Sequence, residues 1–213
     1  MVTTRLLIAR HGNTFTPDQI PTRVGARTDL DLVASGRKQA SNLARYLVSE
    51  NLLPDVIFTS NLKRTYQMAE PIIELAGHPI PLSKESIFNE IDYGPDENKS
   101  EEEVVSRIGK PAIEKWDKDG TVPDGWKVEP DKIIQGWRDF ARNIDTLNTG
   151  ETILVITSNG IARFAPHLTG NFDIFLKENN IKISTGALCC LEKEESESDW
   201  TIKFWNRKPQ DFV

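Results

Sequence analysis

Histidine and cysteine are scarce in this chain of 213 residues, with three of the first and two of the second. So few histidines, with no cysteine at ligand spacing, argue against a zinc site. The cysteines, Cys189 and Cys190, are neighbours. Neighbours in a strand point to opposite faces, so this pair makes a poor disulfide, and no secreted disulfide framework is visible. Long apolar runs are also missing. Leu6 to Ala9 is too short for the apolar stretch of a signal peptide, and no segment approaches a membrane span, so cytoplasm is the default location. Positive charge is in deficit, with a formal net charge of -6. Such a surface does not attract nucleic acid or anionic membrane over long range. An anionic ligand must therefore be captured by a local cluster of cations.

What is there reads as one α/β layer fold. The composition is ordinary for a globular protein, at 38% hydrophobic and 27% charged. Short apolar runs at Arg5 to Ala9, Val56 to Phe58 and Thr152 to Ile156 predict buried strands, and Ser86 to Ile91 predicts another. Ala40, Leu43, Ala44, Leu47 and Val48 recur at helical spacing between Val33 and Leu53. A helix is expected from Leu62 to Ala76, with Gly77 as its stop and Pro71 shortening or kinking it. Ser100 to Glu103 has the form of a capping box and predicts a helix running to Lys118 through Pro111. Another is expected from Asp131 to Leu147, with Ile134, Trp137, Phe140, Ala141 and Ile144 inward, and one more starts near Gly160. Ala187 to Glu192 and Thr201 to Trp205 read as late strands, separated by a solvated charged turn from Lys193 to Asp199. Strands alternating with helices imply a three-layer sandwich: a mostly parallel sheet flanked by helices. Residues 1–213 are expected to form a single domain, with 95–130 as an insertion over the active site.

Ligands in such folds gather at the carboxyl ends of strands. Arg10-His11-Gly12-Asn13-Thr14, Ser60 to Arg64, and Thr157-Ser158-Asn159-Gly160 all follow expected strands, and Glu90 closes a fourth. A phosphate monoester needs fixed cations for its oxygens, a nucleophile, and an acid for the leaving oxygen. Arg10 and Arg64, His11, and Glu90 match those needs by residue type. Taken singly, each has a duller reading as a surface cation, a structural histidine or an exposed acid.

The combination resembles the histidine phosphatase (phosphoglycerate mutase-like) superfamily. Arg10-His11-Gly12-Asn13-Thr14 is similar to that family's Arg-His-Gly-x-Thr signature. Asp29 to Ala40, Thr59 to Ala69 and Asn89 to Gly94 resemble three further family segments. The resemblance implies a phosphoglycerate mutase-like fold and neither metal nor nucleotide cofactor. It implies His11 as the phosphorylated nucleophile, Arg10 and Arg64 as the phosphate clamp, and Glu90 as the proton donor. Asn13 and Thr14 would line the pocket's edge. A phosphomonoesterase acting through phosphohistidine on a small phosphorylated molecule is the expectation; a phosphoprotein substrate is left open.

The chain departs from the family at two places. The family's Ser-His-Gly-Gly-x-x-Arg motif stands here as Thr157-Ser158-Asn159-Gly160-Ile161-Ala162-Arg163, which puts Ser158 where a second histidine belongs; a one-residue slip would put Asn159 there. His167 lies about 13 Å further along a helix and is no replacement. Pro17 stands where some mutase-like members carry a phosphate-contacting asparagine, which argues against mutase activity. Loss of one charged donor predicts a slow phosphatase, with a phosphate-binding or scaffold protein and a mutase as the alternatives. Trp116 and Trp126 in the insertion, with Trp137 beyond it, are expected to pin the insertion to the core. Acidic residues at Asp96, Glu97 and Glu101 to Glu103 form an expected rim that discourages highly anionic substrates.

Overall fold

The computed structural model describes residues 2–212. Its six strands are β1 (Thr3–Arg10), β2 (Val56–Thr59), β3 (Leu82–Lys84), β4 (Thr152–Thr157), β5 (Leu188–Glu194) and β6 (Thr201–Arg207), in the sheet order β3-β2-β4-β1-β5-β6. The β3-β2, β2-β4 and β4-β1 pairs are parallel, whereas β1-β5 and β5-β6 are antiparallel. Only β5 runs against the others. The sheet is therefore mostly parallel in direction, as the alternation of elements predicts.

The period of two along a strand sorts the core into two layers. Leu6 and Ile8 of β1, with Ile153 and Val155 of β4, enter one apolar cluster. Leu7 and Ala9, with Leu154 and Ile156, enter the other. That second face is covered by α1 (Ala34–Ser49) and α2 (Lys63–Ala76), through Leu43, Leu47, Met68 and Ile72. The first face is covered by α5 (Pro130–Leu147), through Trp137, Phe140, Ala141 and Ile144. It also receives Val104 from α3 (Glu101–Ile108), and Ile113 and Trp116 from α4 (Lys110–Asp119). Two short helices, α6 (Asn159–Ala162) and α7 (Phe172–Glu178), follow β4. Both faces of the central strands are thus buried, which explains their continuous apolar runs.

Several elements differ from the sequence reading. The segment Ser86 to Ile91 is not a strand. The strand there is the shorter β3, and Ser86–Phe88 forms a single 3-10 turn closed by Phe88 N donating to Glu85 O at 3.2 Å. The turn buries Phe88, at 1% exposure, against Trp137 and Phe140. Glu90 is consequently delivered by an extended stretch after a turn rather than by a strand end. The single helix expected from Ser100 to Lys118 is two helices, because Gly109 adopts φ 80 and ψ 149 and Pro111 sits in the first turn of α4. Proline at that position cannot continue α3 but suits a fresh start. The capping box at Ser100 and Glu103 is present. Pro71 lies within α2 without ending it, and Gly77 closes that helix in the left-handed conformation. Lys193 belongs to β5 and is buried against Asp145, so the charged turn begins after Glu194. Val48 of α1, expected inward, is 44% exposed, and Ile134 of α5 is only partly buried.

Two glycine substitutions separate backbone strain from helix propensity. Gly109→Ala is expected to destabilise the chain by about 1–3 kcal/mol, since its backbone conformation is almost confined to glycine. Gly136→Ala, within α5 and with nothing within 4 Å of an added Cβ, is expected to stabilise it by about 0.5–1 kcal/mol. Urea denaturation of both variants checks the two signs.

Candidate active site

The site is built on the central parallel pair. Arg10 ends β1 opposite Thr157, the last residue of β4, and His11 N donates to Thr157 O at 3.0 Å. The residues one step beyond are His11 and Ser158, so these two leave adjacent strand ends. Gly12 then turns the chain tightly against α1. A Cβ there would lie 2.7 Å from Gly36 O and 2.8 Å from Gly36 Cα. No side chain fits that approach, which explains glycine after the histidine.

His11 is buried, and its Nδ1 lies 2.8 Å from Gly12 O. A carbonyl only accepts, so Nδ1 carries the proton and Nε2 of the neutral ring keeps its lone pair. Burial first, then the positive charges of Arg64 and Arg10, hold the imidazole well below its usual range. The ring is thus neutral in the pH range where free imidazole is partly charged. Glu90 is shifted the opposite way: burial raises its carboxyl above the usual value, against the lowering effect of two backbone amides and of Arg64 and Arg10. Those amides are Ile91 N on Oε1 at 2.9 Å and Gly160 N on Oε2 at 3.3 Å.

Arg64 is fully buried, with 0% exposure. Its Nη1 donates to Thr28 O at 2.8 Å, and its Nη2 to Gly25 O at 3.3 Å and Val24 O at 3.4 Å. Arg10 Nη1 donates to Ile183 O at 2.5 Å. Among the described residues, the buried side-chain polar atoms without a hydrogen-bond partner are Arg10 Nε, Arg23 Nε, Arg64 Nε and Ser158 Oγ. All four are potential donors. Leaving such groups unpaired is costly, and an anion's oxygens are their natural complement.

A cavity of about 750 Å³ opens over His11. Arg10, Asn13, Thr14, Glu90 and Asn159 line it, as do Arg23, Arg163 and Lys182. In a chain of formal charge -6, this is the local gathering of cations that capture of an anion requires. A model of the histidine phosphatase superfamily (branch 1) matches residues 6–208. The chain belongs to the histidine phosphatase superfamily. It is 24% identical to phosphoglycerate mutase 1 of Saccharomyces cerevisiae, over 90% of this chain and 88% of that protein. It is 30% identical to a 2,3-bisphosphoglycerate-dependent phosphoglycerate mutase of an Arthrobacter strain over 54% of this chain, a match spanning only 46% of that protein. The fold is also that of a mycobacterial glucosyl-3-phosphoglycerate phosphatase, with a TM-score of 0.76 and 17% identity over 96% of this chain and 99% of that one. A phosphoserine phosphatase of Entamoeba histolytica superposes with a TM-score of 0.72 and 19% identity, over 95% and 96% of the two chains.

Of the expected site residues, Arg10, His11, Asn13, Thr14, Glu90 and Asn159 line the cavity, whereas Arg64 and Ser158 are fully buried and are not part of its lining. Asn13 Oδ1 accepts from Thr185 Oγ1 at 2.6 Å and its Nδ2 donates to Ser35 Oγ at 3.2 Å, so its side chain is already engaged at the cavity edge. Ser158 is fully buried at the end of β4, whereas Asn159 lines the cavity and spends its Oδ1 on Ile183 N at 2.8 Å. His167 stacks on Phe172, with ring centroids 3.9 Å apart, and His78 is an exposed turn residue. Trp116, Trp126 and Trp137 are all buried in the apolar core, as expected. Trp126 Nε1 donates to Asp96 Oδ2 at 2.6 Å, and Trp137 Nε1 to Ile161 O at 3.0 Å.

The sequence did not single out Arg23, Lys182 or the cation role of Arg163. Arg23 sits in an aperiodic loop, so nothing local marks it. Arg163 lies 4.0 Å from the Trp116 ring centroid, and burial lowers its pKa to about 10. Of the expected acidic rim only Glu101 lines the cavity, joined by Asp117; they pair with Arg23 and Lys182 respectively. Asp96 is buried beneath Arg107 and Trp126. The rim is therefore a set of ion pairs rather than a negative collar. Among the described residues, no group of three or more His, Cys, Asp or Glu could hold a metal ion, and no helix is long and apolar enough to cross a membrane.

Gly160 packs tightly against Glu90, since an added Cβ would lie 2.3 Å from Glu90 Oε1 and 2.8 Å from Ile91 Cγ1. Gly160→Ala is expected to lower the unfolding free energy by about 1–3 kcal/mol, the usual penalty of overpacking. An unchanged urea midpoint would show that Glu90 is free to move.

Proposed function

We propose that the chain is a phosphomonoesterase working through a phosphohistidine on a small phosphorylated molecule. The observation that carries this reading is the pair of opposed shifts at one buried site: a neutral His11 with a free Nε2, and a Glu90 that tends to keep its proton. With ordinary values the required forms scarcely coexist, because imidazole is neutral above about 6.5 and a glutamic acid is protonated below about 4.3. Burial moves each towards the other.

In the reaction, His11 Nε2 attacks phosphorus while the bond to the ester oxygen breaks and Glu90 protonates that leaving oxygen. Water then attacks the phosphohistidine, Glu90 takes a proton from it, and phosphate departs with His11 restored. Arg10 and Arg64 neutralise the non-bridging oxygens, and charge-assisted bonds of this kind are about twice as strong as neutral ones. Ser158 supplies a neutral donor where the family carries an imidazolium. Removing one such charged donor typically costs on the order of 10²- to 10³-fold in rate, so turnover is slow. Ser158 also favours a second reading, a phosphate-binding or scaffold protein of the same fold. Mutase activity is supported by the names of the sequence relatives, but Pro17 takes away a side-chain contact and a backbone donor.

The deciding assay is hydrolysis of p-nitrophenyl phosphate by wild type, His11→Ala and Ser158→His. Wild type is expected to turn over slowly, His11→Ala to be inert, and Ser158→His to gain on the order of 10²-fold. Phosphate binding without any His11-dependent turnover on a broad panel of phosphomonoesters would move the binding-protein reading ahead. The pH profile of kcat/KM gives an independent check. Activity needs neutral His11, whose value is lowered, so the acid limb is expected below the ordinary imidazole range. It also needs protonated Glu90, whose value is raised, so the alkaline limb is expected above the ordinary carboxyl range and disappears in Glu90→Gln.

A further inference from the structure

We infer that Glu97 is a positioning residue, whose carboxylate fixes the loop that aims Arg64 at the phosphate; the inference rests on the phosphate-handling reading above. Arg64 does not hold its own orientation. Three carbonyls of the loop at residues 24–28 hold it, those of Val24, Gly25 and Thr28. That loop has no regular secondary structure to stiffen it. Its donors converge instead on one oxygen: Glu97 Oε1 accepts from Thr28 Oγ1 at 2.7 Å, Gly25 N at 3.0 Å and Arg27 N at 3.2 Å. Glu97 Oε2 takes only Tyr93 N, at 3.4 Å.

Backbone bonds stitch the same loop to the segment after Glu90. Arg23 N donates to Lys99 O at 2.8 Å, Asn98 N to Arg23 O at 2.8 Å, and Ala26 N to Ile91 O at 2.9 Å. Asn98 turns with φ 61, a left-handed conformation that asparagine tolerates. The fit is close, since a Cβ on Gly25 would lie 2.2 Å from Glu97 Oε2. The acidic stretch following Glu90 therefore faces inward at Glu97 and serves the anion clamp.

The bond pattern separates geometry from charge. Three of the four contacts fall on Oε1, so glutamine with its carbonyl oxygen there keeps them while losing the charge. Titration calorimetry of inorganic phosphate into the full chain, with thermal melts, compares wild type, Glu97→Gln, Glu97→Ala, Arg64→Lys and the Glu97→Ala/Arg64→Lys pair. Glu97→Ala is expected to weaken phosphate at least about tenfold, since small misplacements of a binding group are costly. Glu97→Gln is expected to stay within about twofold. In the Arg64→Lys background, Glu97→Ala is expected to add less than about twofold, because coupled residues are not additive. The inference is overturned if Glu97→Ala binds as wild type does, if glutamine loses as much as alanine, or if the loss is equal in both backgrounds. Should Glu97→Ala not fold, Thr28→Val removes one of the bonds and carries the test: weaker binding supports the inference and unchanged binding overturns it. If wild type itself does not bind phosphate, the underlying reading fails and this one with it, an outcome distinct from any difference between variants.

Discussion

Burying charge is expensive unless fixed polar groups replace the lost water. This chain buries Arg64, Arg163, Glu90 and His11 at one end of one sheet, and much of its irregular structure answers that cost. Loop carbonyls solvate Arg64, the Trp116 carbonyl and ring solvate Arg163, and two backbone amides reach Glu90. His11 meets the same cost differently, by staying neutral beside two arginines. Segments that look like connecting loops are the dielectric of the site. Their conformations are set by what they must solvate as much as by turn chemistry.

The same constraint explains what was legible in the sequence. Central strands bury both faces, so they are written as apolar runs, and Arg10, His11 and Thr157 could be placed at strand ends with no partner in view. Helices α1 and α5 were legible because one apolar stripe suffices to define them. The turn at Ser86–Phe88 was not, because its conformation depends on Phe88 reaching Trp137 and Phe140 about fifty residues away. Gly109 was passed over for a related reason. A capping box and helical spacing favour one long helix, while the glycine's left-handed backbone divides it. Arg23 carries no local signal at all; it matters because of the cavity that distant segments close around it.

The stretch after Glu90 is part of the molecule's main construction rather than a cover laid upon it. Val104, Ile113, Trp116 and Trp126 enter the same apolar cluster as β1 and β4. On its other side the stretch meets the loop that holds Arg64. Changes here reach the cavity by two routes, through packing and through that loop. Cavity shape and core packing are therefore not separable in this region, since Trp116 both fills the core and lines the cavity.

Ser158 brings these strands together. A histidine at this strand end, if charged, would add a cation to a site already holding Arg10 and Arg64, pressing the pKa of His11 lower still and helping to neutralise a phosphoryl group. Serine removes that charge, and with it part of the electrostatic cost of the unliganded site. It leaves Oγ buried at 0% exposure with no hydrogen-bond partner. An unsatisfied buried polar group costs about 1–3 kcal/mol. Serine at this strand end thus carries no charge to repel its neighbours but leaves a hydrogen bond unmet, which an oxyanion that reached Ser158 would satisfy. Such a site retains affinity for phosphate more readily than speed, because a neutral donor gains less than an imidazolium as charge develops on the transferred group. On the proposed reading, the balance between binding and turnover depends on this one buried hydroxyl.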